Sequence, residues 1–154
     1  MSRTKAIDSN VAEELIAFRI AEQEFCVDIQ SVREIRGFAA ATPLPHAPSF
    51  VTGVINLRGT VLPIIDLAAR LGFGKIQPTA RSVIIVVRVN QQLVGLLVDA
   101  VSDILTVTDE ILQPTPDVGS ELAKSFVKGV MAIEGRMISL IALDGVLPQV
   151  ELAA

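Results

Sequence analysis

The chain has 154 residues, 51% of them hydrophobic, with a net charge of −4 and a pI near 5.0. That is apolar material for one domain, or for two very small subdomains sharing a core. The acidic balance and the lack of Trp and Tyr argue against nucleic acid, one cysteine excludes an intramolecular disulfide, and the longest apolar runs, 83–87 and 93–98, fall far short of the roughly 18 residues of a membrane span.

Residues 1–14 are polar and mixed in charge and read as a flexible N-terminal arm. No charged start, apolar core and small-residue cleavage site follow one another, so the chain reads as cytosolic. From Leu15 a period of two sets in: Ile16, Phe18 and Ile20 against Ala17, Arg19 and Ala21. Glu22-Gln23-Glu24 reads as a polar turn and Phe25–Ile29 as the returning strand of a hairpin. Val32 and Ile35 carry the alternation through Ser31–Arg36. The run Thr42–Pro48 is a stiff loop, because three prolines fix φ and remove donors.

Residues 50–67, FVTGVINLRGTVLPIIDL, read as strand, tight turn, strand. Gly59 supplies the permissive backbone of the reversal and Arg58 falls at its tip. Pro63 cannot donate to a ladder, which predicts a sheet edge or a bulge just after the turn. Further on, Ser82–Val89 is apolar on both faces and needs cover on both sides.

The chain then repeats itself. Residues 126–143, FVKGVMAIEGRMISLIAL, align without a gap to 50–67 at an offset of 76, matching Gly53 with Gly129 and Gly59 with Gly135. The opening hairpin recurs at an offset of 69, as in Val32-Arg33-Glu34-Ile35 and Val101-Ser102-Asp103-Ile104. Seven additional residues therefore fall within 105–125, where Glu121–Ser125 is a candidate short helix and the rest reads as loop. Such a period is too long for a solenoid. It predicts an all-β fold of two small barrels, each of four or five strands, packed on a hydrophobic seam.

Chemistry-bearing clusters are sparse. Cys26 lies in an alternating strand and His46 in the proline-rich loop, with no third group to orient them as a nucleophilic pair. Gly72-Phe73-Gly74-Lys75 lacks the spacing and the following Ser or Thr of a phosphate loop. Asp28, Asp66 and Asp99 read as strand-end turn residues ahead of paired acid–base carboxylates. No metal-ligand spacing and no cofactor motif is present, so the residues point away from an enzyme. The duplication sharpens one position. Asn56, Arg58, Pro63 and Asp66 become Ala132, Glu134, Ser139 and Ala142 in the second copy, so this hairpin does not need arginine at its tip. Arg58 is then either a solvated charge or a five-donor fork for a partner.

At NLRG followed by PIIDL the sequence resembles the CheW family of bacterial chemosensory adaptors. The supporting stretches are Phe25-x-x-Asp28-Ile29-x-x-Val32-x-Glu34-Ile35, Thr52–Gly59 and Val94–Ile104, and the likeness runs from Leu15 to Leu147. It implies two five-stranded SH3-like barrels, intertwined in one domain over 15–147, with 148–154 as a C-terminal tail. It implies a stand-alone, non-catalytic, cytoplasmic scaffold, recruited to receptor arrays at the inner face of the membrane without inserting into it. There it would couple the cytoplasmic tip of chemoreceptors to the regulatory domain of the histidine kinase CheA, with rings formed where barrel one of one protein meets barrel two of the other. The near alternative is an adaptor of a pilus-motility or second-messenger chemosensory system. Carried over by motif, Val32 and Gly53 fall to the kinase. Glu34, Arg58, Val83, Gly95, Val101 and Ile104 fall to the receptor, and Gly59, Gly129 and Gly135 to the turns. On that reading Val and Ile form an apolar floor, Gly lets a receptor helix approach, and Glu34 and Arg58 make a polar rim.

Overall fold

The computed structural model describes residues 13–107, 112–113 and 126–146. Most of the expected N-terminal arm, the candidate helix at 121–125 and the tail at 148–154 lie outside these residues. Eleven strands are described: β1 (Glu13–Ile20), β2 (Gln23–Asp28), β3 (Val32–Gly37), β4 (Val51–Leu57), β5 (Thr60–Asp66), β6 (Val83–Val89), β7 (Gln92–Val98), β8 (Ala100–Val107), β9 (Leu112–Gln113), β10 (Val127–Ile133) and β11 (Arg136–Ile141). Two one-turn helices, α1 (Leu67–Arg70) and α2 (Leu143–Val146), follow β5 and β11. The strands form two sheets, ordered β8-β1-β2-β11-β10-β9 and β3-β6-β7-β5-β4.

The duplication is reproduced pairing by pairing. β4–β5 and β10–β11 are antiparallel hairpins, and β5–β7 and β11–β2 are the parallel contacts. The bulge between Val51 and Gly53 recurs between Val127 and Gly129. The skip between Val32 and Glu34 recurs as Ala17 and Phe18 pair with Asp103 and Val101. Thr42 bridges Val54 as Gln113 bridges Val130, an offset of 71, so two of the seven additional residues precede Gln113 and five follow it. The sheets do not each hold one copy, however. The first hairpin of each copy, β1–β2 or β6–β7, is built into the other copy's sheet.

This exchange explains the burial. Along β1, Ile16, Phe18 and Ile20 join the large core shared with β5, β6 and β7, while Leu15 and Ala17 face a second, smaller core with Cys26, Leu105, Met131 and Ile138. The strand is a wall between two apolar volumes, so both its faces are buried. In the other sheet β6 is covered on both faces too, with Ile84, Ile85, Val86 and Val87 all buried in the large core, as its two-faced sequence requires. Fully burying each such side chain contributes roughly 1.5–3 kcal/mol.

Local expectations met two adjustments. The first turn is Ala21-Glu22, one position earlier than the polar run suggested, with Ile20 opposite Gln23 and Ala21 at φ 56. The Asp99 carboxylate accepts from the Ala21 N–H at 2.6 Å, which holds that backbone in place. Pro63 lies not on an edge but in β5, between β4 and β7. Its partner Val54 directs both backbone groups to Thr42, at 2.8 and 2.9 Å, and the parallel ladder to β7 begins only at Ile64. The missing N–H therefore removes no rung between β4 and β5. The three aspartates are turn acceptors: Asp28 accepts from Gln30 N–H, Asp66 from Ala69 and Ile76 N–H, and Asp99 as above.

Candidate functional site

The turn between β4 and β5 has two residues, with Leu57 opposite Thr60. Arg58 at φ 51 and Gly59 at φ 87 give the double left-handed geometry whose twist matches a tight hairpin. The Asn56 side-chain carbonyl accepts from the Gly59 N–H at 2.8 Å and fixes the turn. Glu134 and Gly135 repeat the geometry at φ 51 and 80, where Ala132 offers no such side chain.

The Arg58 side chain is 69% exposed and reaches Glu34 on β3, with Nη2 donating to Oε1 at 2.5 Å. Arg36 Nη1 donates to the other carboxylate oxygen at 3.2 Å. Since β3 and β4 are the two edges of one sheet, this three-residue cluster ties edge to edge and requires the sheet to curl. The hydrogen bond from Arg58 holds the Glu34 carboxyl below the ordinary glutamate value, against desolvation and with help from Arg36, and Glu34 in turn raises Arg58. Arg58 is therefore neither a free solvated charge nor a buried strut: it is an exposed fork with one donor engaged.

The second copy ties its third-strand acid by another route, from the interior strand β11. Asp103 occupies the place of Glu34, but its arginine is Arg136, two positions beyond Glu134. Arg136 grips both carboxylate oxygens of Glu24, at 2.9 and 2.5 Å, and both of Asp103, at 3.2 and 3.1 Å. Those bonds raise Arg136, the bond to Glu24 most, and Arg136 lowers Glu24. Sequence comparison missed Arg36, Glu24 and Arg136; the last two stand opposite Leu93 and Thr60 in the repeat, so position-by-position alignment hides them.

The other expected site residues are spread over both sheets. Val32 opens β3, Val83 opens β6 and Val101 lies on β8; each is half-buried against the large core. Ile104, on β8, is 58% exposed. Gly53 is buried in the β4 bulge at φ 151, and a Cβ there would stand 2.2 Å from the Thr42 carbonyl oxygen. Gly95 is buried in β7, where a Cβ would meet Ile64 Cδ1 and Ile84 Cγ2, both at 2.7 Å. The room these glycines leave is thus taken up by the chain's own Thr42, Ile64 and Ile84. Of the expected set, Glu34 and Arg58 are brought into direct contact. Two pairs of repeat mates are exposed apolar residues: Ile35 with the expected Ile104, and Val61 with Met137, which the sequence reading did not single out.

Cys26 is fully buried, and burial, aided by the charge of Glu24, pushes its thiol up to about 12. His46 sits apart in the exposed loop between β3 and β4. Among the described residues no three His, Cys, Asp or Glu side chains are grouped to hold a metal, and no helix is long and apolar enough to cross a membrane.

Comparison with known proteins agrees with this architecture. The family model described as CheW-like domain matches residues 14–151. Chemotaxis protein CheW of Rhizobium meliloti (strain 1021) is 62% identical over 143 residues, covering 93% of this chain and 92% of the relative. Probable chemotaxis protein CheW of Rhizobium etli is 64% identical over 138 residues, covering 90% and 89%. The crystal structure of the scaffolding protein TtCheW from Thermoanaerobacter tengcongensis superposes with a TM-score of 0.80 at 34% identity, over 86% of this chain and 90% of that one.

Proposed function

This chain belongs to the CheW-like domain family of chemotaxis scaffolds, and we propose that it is a non-catalytic adaptor joining chemoreceptor tips to the regulatory domain of the histidine kinase CheA. It acts at the inner face of the membrane without inserting into it, as a single domain over 15–147. Val32 and Gly53 serve the kinase side, and Glu34, Arg58, Val83, Gly95, Val101 and Ile104 the receptor side. Gly53 and Gly95 serve through packing, since neither leaves open surface.

The observation that carries this reading is the Glu34–Arg58 pair: an exposed guanidinium, oriented by one bond and with further donors unspent, at the tip of a turn that the repeat shows can fold with glutamate instead. Such a group has its use outside the chain. The burial of Cys26 removes its thiol as a nucleophile, in keeping with a scaffold. The mated exposed residues, Ile35 with Ile104 and Val61 with Met137, give the two sheets similar apolar faces. Similar but unequal faces suit the head-to-tail contacts from which rings are built. Titration calorimetry against a receptor signalling fragment and, separately, the kinase regulatory domain tests the proposal. Binding to both is expected, and binding to neither would refute it.

A further inference from the structure

Arg70 ends α1, and its repeat mate is Val146, which ends α2. Phe50 and Phe126 are also mates, and they are held alike: Asp66 N–H donates to the Phe50 carbonyl at 2.8 Å and Ala142 N–H to the Phe126 carbonyl at 2.7 Å. The Arg70 guanidinium carbon lies 4.3 Å from the centroid of the Phe50 ring and 4.7 Å from that of Phe126. A group almost equidistant from two repeat-related rings sits beside the axis that relates the repeats. From there Nε donates to the Val146 carbonyl at 2.7 Å and Nη2 to the Gly145 carbonyl at 3.4 Å. A side chain of the first copy thus caps the last carbonyls of the second copy's helix, where a cation is favoured.

The arrangement has room for one cation. Two guanidiniums facing each other across the axis would repel at short range, and the second copy has Val146, fully buried, in the equivalent seat. The contact also differs in kind from the apolar core that the two sheets share. The shared core is apolar and non-directional, and the Arg136 network lies within the six-stranded sheet. Arg70 joins α1, at the end of the five-stranded sheet, to α2, at the end of the six-stranded one.

We propose that Arg70 is a positioning residue seated beside the pseudo-twofold axis, which sets how the two sheets sit against one another and so places the exposed residues of one sheet relative to those of the other. This stands on the packing and does not depend on which partners bind.

The test is solution NMR on the full chain, with residual dipolar couplings measured for the two sheets. Arg70→Met keeps the stem and the volume but loses the charge and the donors. In this variant each sheet should keep its internal couplings while the two cease to share the wild-type mutual orientation. Amide exchange at Ala142 and Gly145 should quicken by about tenfold. Arg70→Lys keeps the ring contacts without the fork and should fall between. The double variant Arg70→Val with Val146→Arg moves the cation to the mated seat and should restore the wild-type orientation, which Arg70→Val alone should not. Unchanged orientation and exchange in Arg70→Met would overturn the proposal. A double variant no better than Arg70→Val alone would overturn the axial placement.

Discussion

Gly53→Ala is the substitution the geometry prices most sharply. The added Cβ would lie 2.2 Å from the Thr42 carbonyl oxygen and 2.6 Å from its carbon, distances no real Cβ shows, and the obstacle is backbone and not a yielding side chain. Residues 42–43 must therefore move, and with them go the two hydrogen bonds between Thr42 and Val54. Two backbone bonds lost at about 1 kcal/mol each, plus about 1–3 kcal/mol for holding a non-glycine residue at this φ, give a loss of about 3–5 kcal/mol. At about 2–4 °C per kcal/mol for a chain of this size, the melting temperature should fall by about 6–20 °C. Urea unfolding at neutral pH measures it, with the slope checked for two-state behaviour. Kinase-domain binding should also weaken well below the melting point, because displacing Thr42 re-aims the loop beside β4. A stability loss under about 0.5 kcal/mol, that of an ordinary surface change, would refute the reasoning.

Arg58→Ala should leave the melting temperature nearly unchanged, since Arg36 still holds Glu34, while affinity for a receptor fragment falls by about tenfold and Arg58→Lys recovers part of it; undiminished calorimetric affinity would reduce Arg58 to an internal tie. Glu24 titrates below its ordinary 4.5 when folded because Arg136 bonds to it, so the pair's contribution is fully present above that value and is lost as the pH falls through the lower, folded one. Arg136→Met should then cost about 1–2 kcal/mol at pH 7 and progressively less as the pH falls below Glu24's ordinary value, a convergence that urea midpoints across the acid range will reveal or deny. With its thiol raised to about 12 and buried, Cys26 should resist a disulfide reagent at pH 8 in the native protein and react at once in denaturant; rapid native labelling would contradict the packing.

The hairpins were legible in the sequence because a two-residue turn demands a glycine at one place, and Gly59 and Gly135 mark both copies in register. Strand pairing between copies was not, because alternation shows that a strand has two faces but not which neighbour meets each. The clue was present in β6, whose unbroken apolar run requires two covered faces. In β1 it was masked, since Ala17 passes for the weak side of an ordinary amphipathic strand while it faces a second core. A hairpin lodged in the other copy's sheet is covered on both faces, which is why β1 and β6 are apolar on both. The same limit applies at the site. Comparing Arg58 with Glu134 correctly showed that the turn tolerates either charge, yet it treated the tip as the seat of the function. What both copies keep is a guanidinium within reach of the acid on the third strand, from Arg58 in one and Arg136 in the other. A long side chain can meet that requirement from more than one position, so it leaves no aligned column. In the second copy the fork is consumed by two carboxylates, and in the first it is held by one and left facing outward. That inequality, and not the presence of arginine, is why the proposed partner contact falls on the first copy's turn.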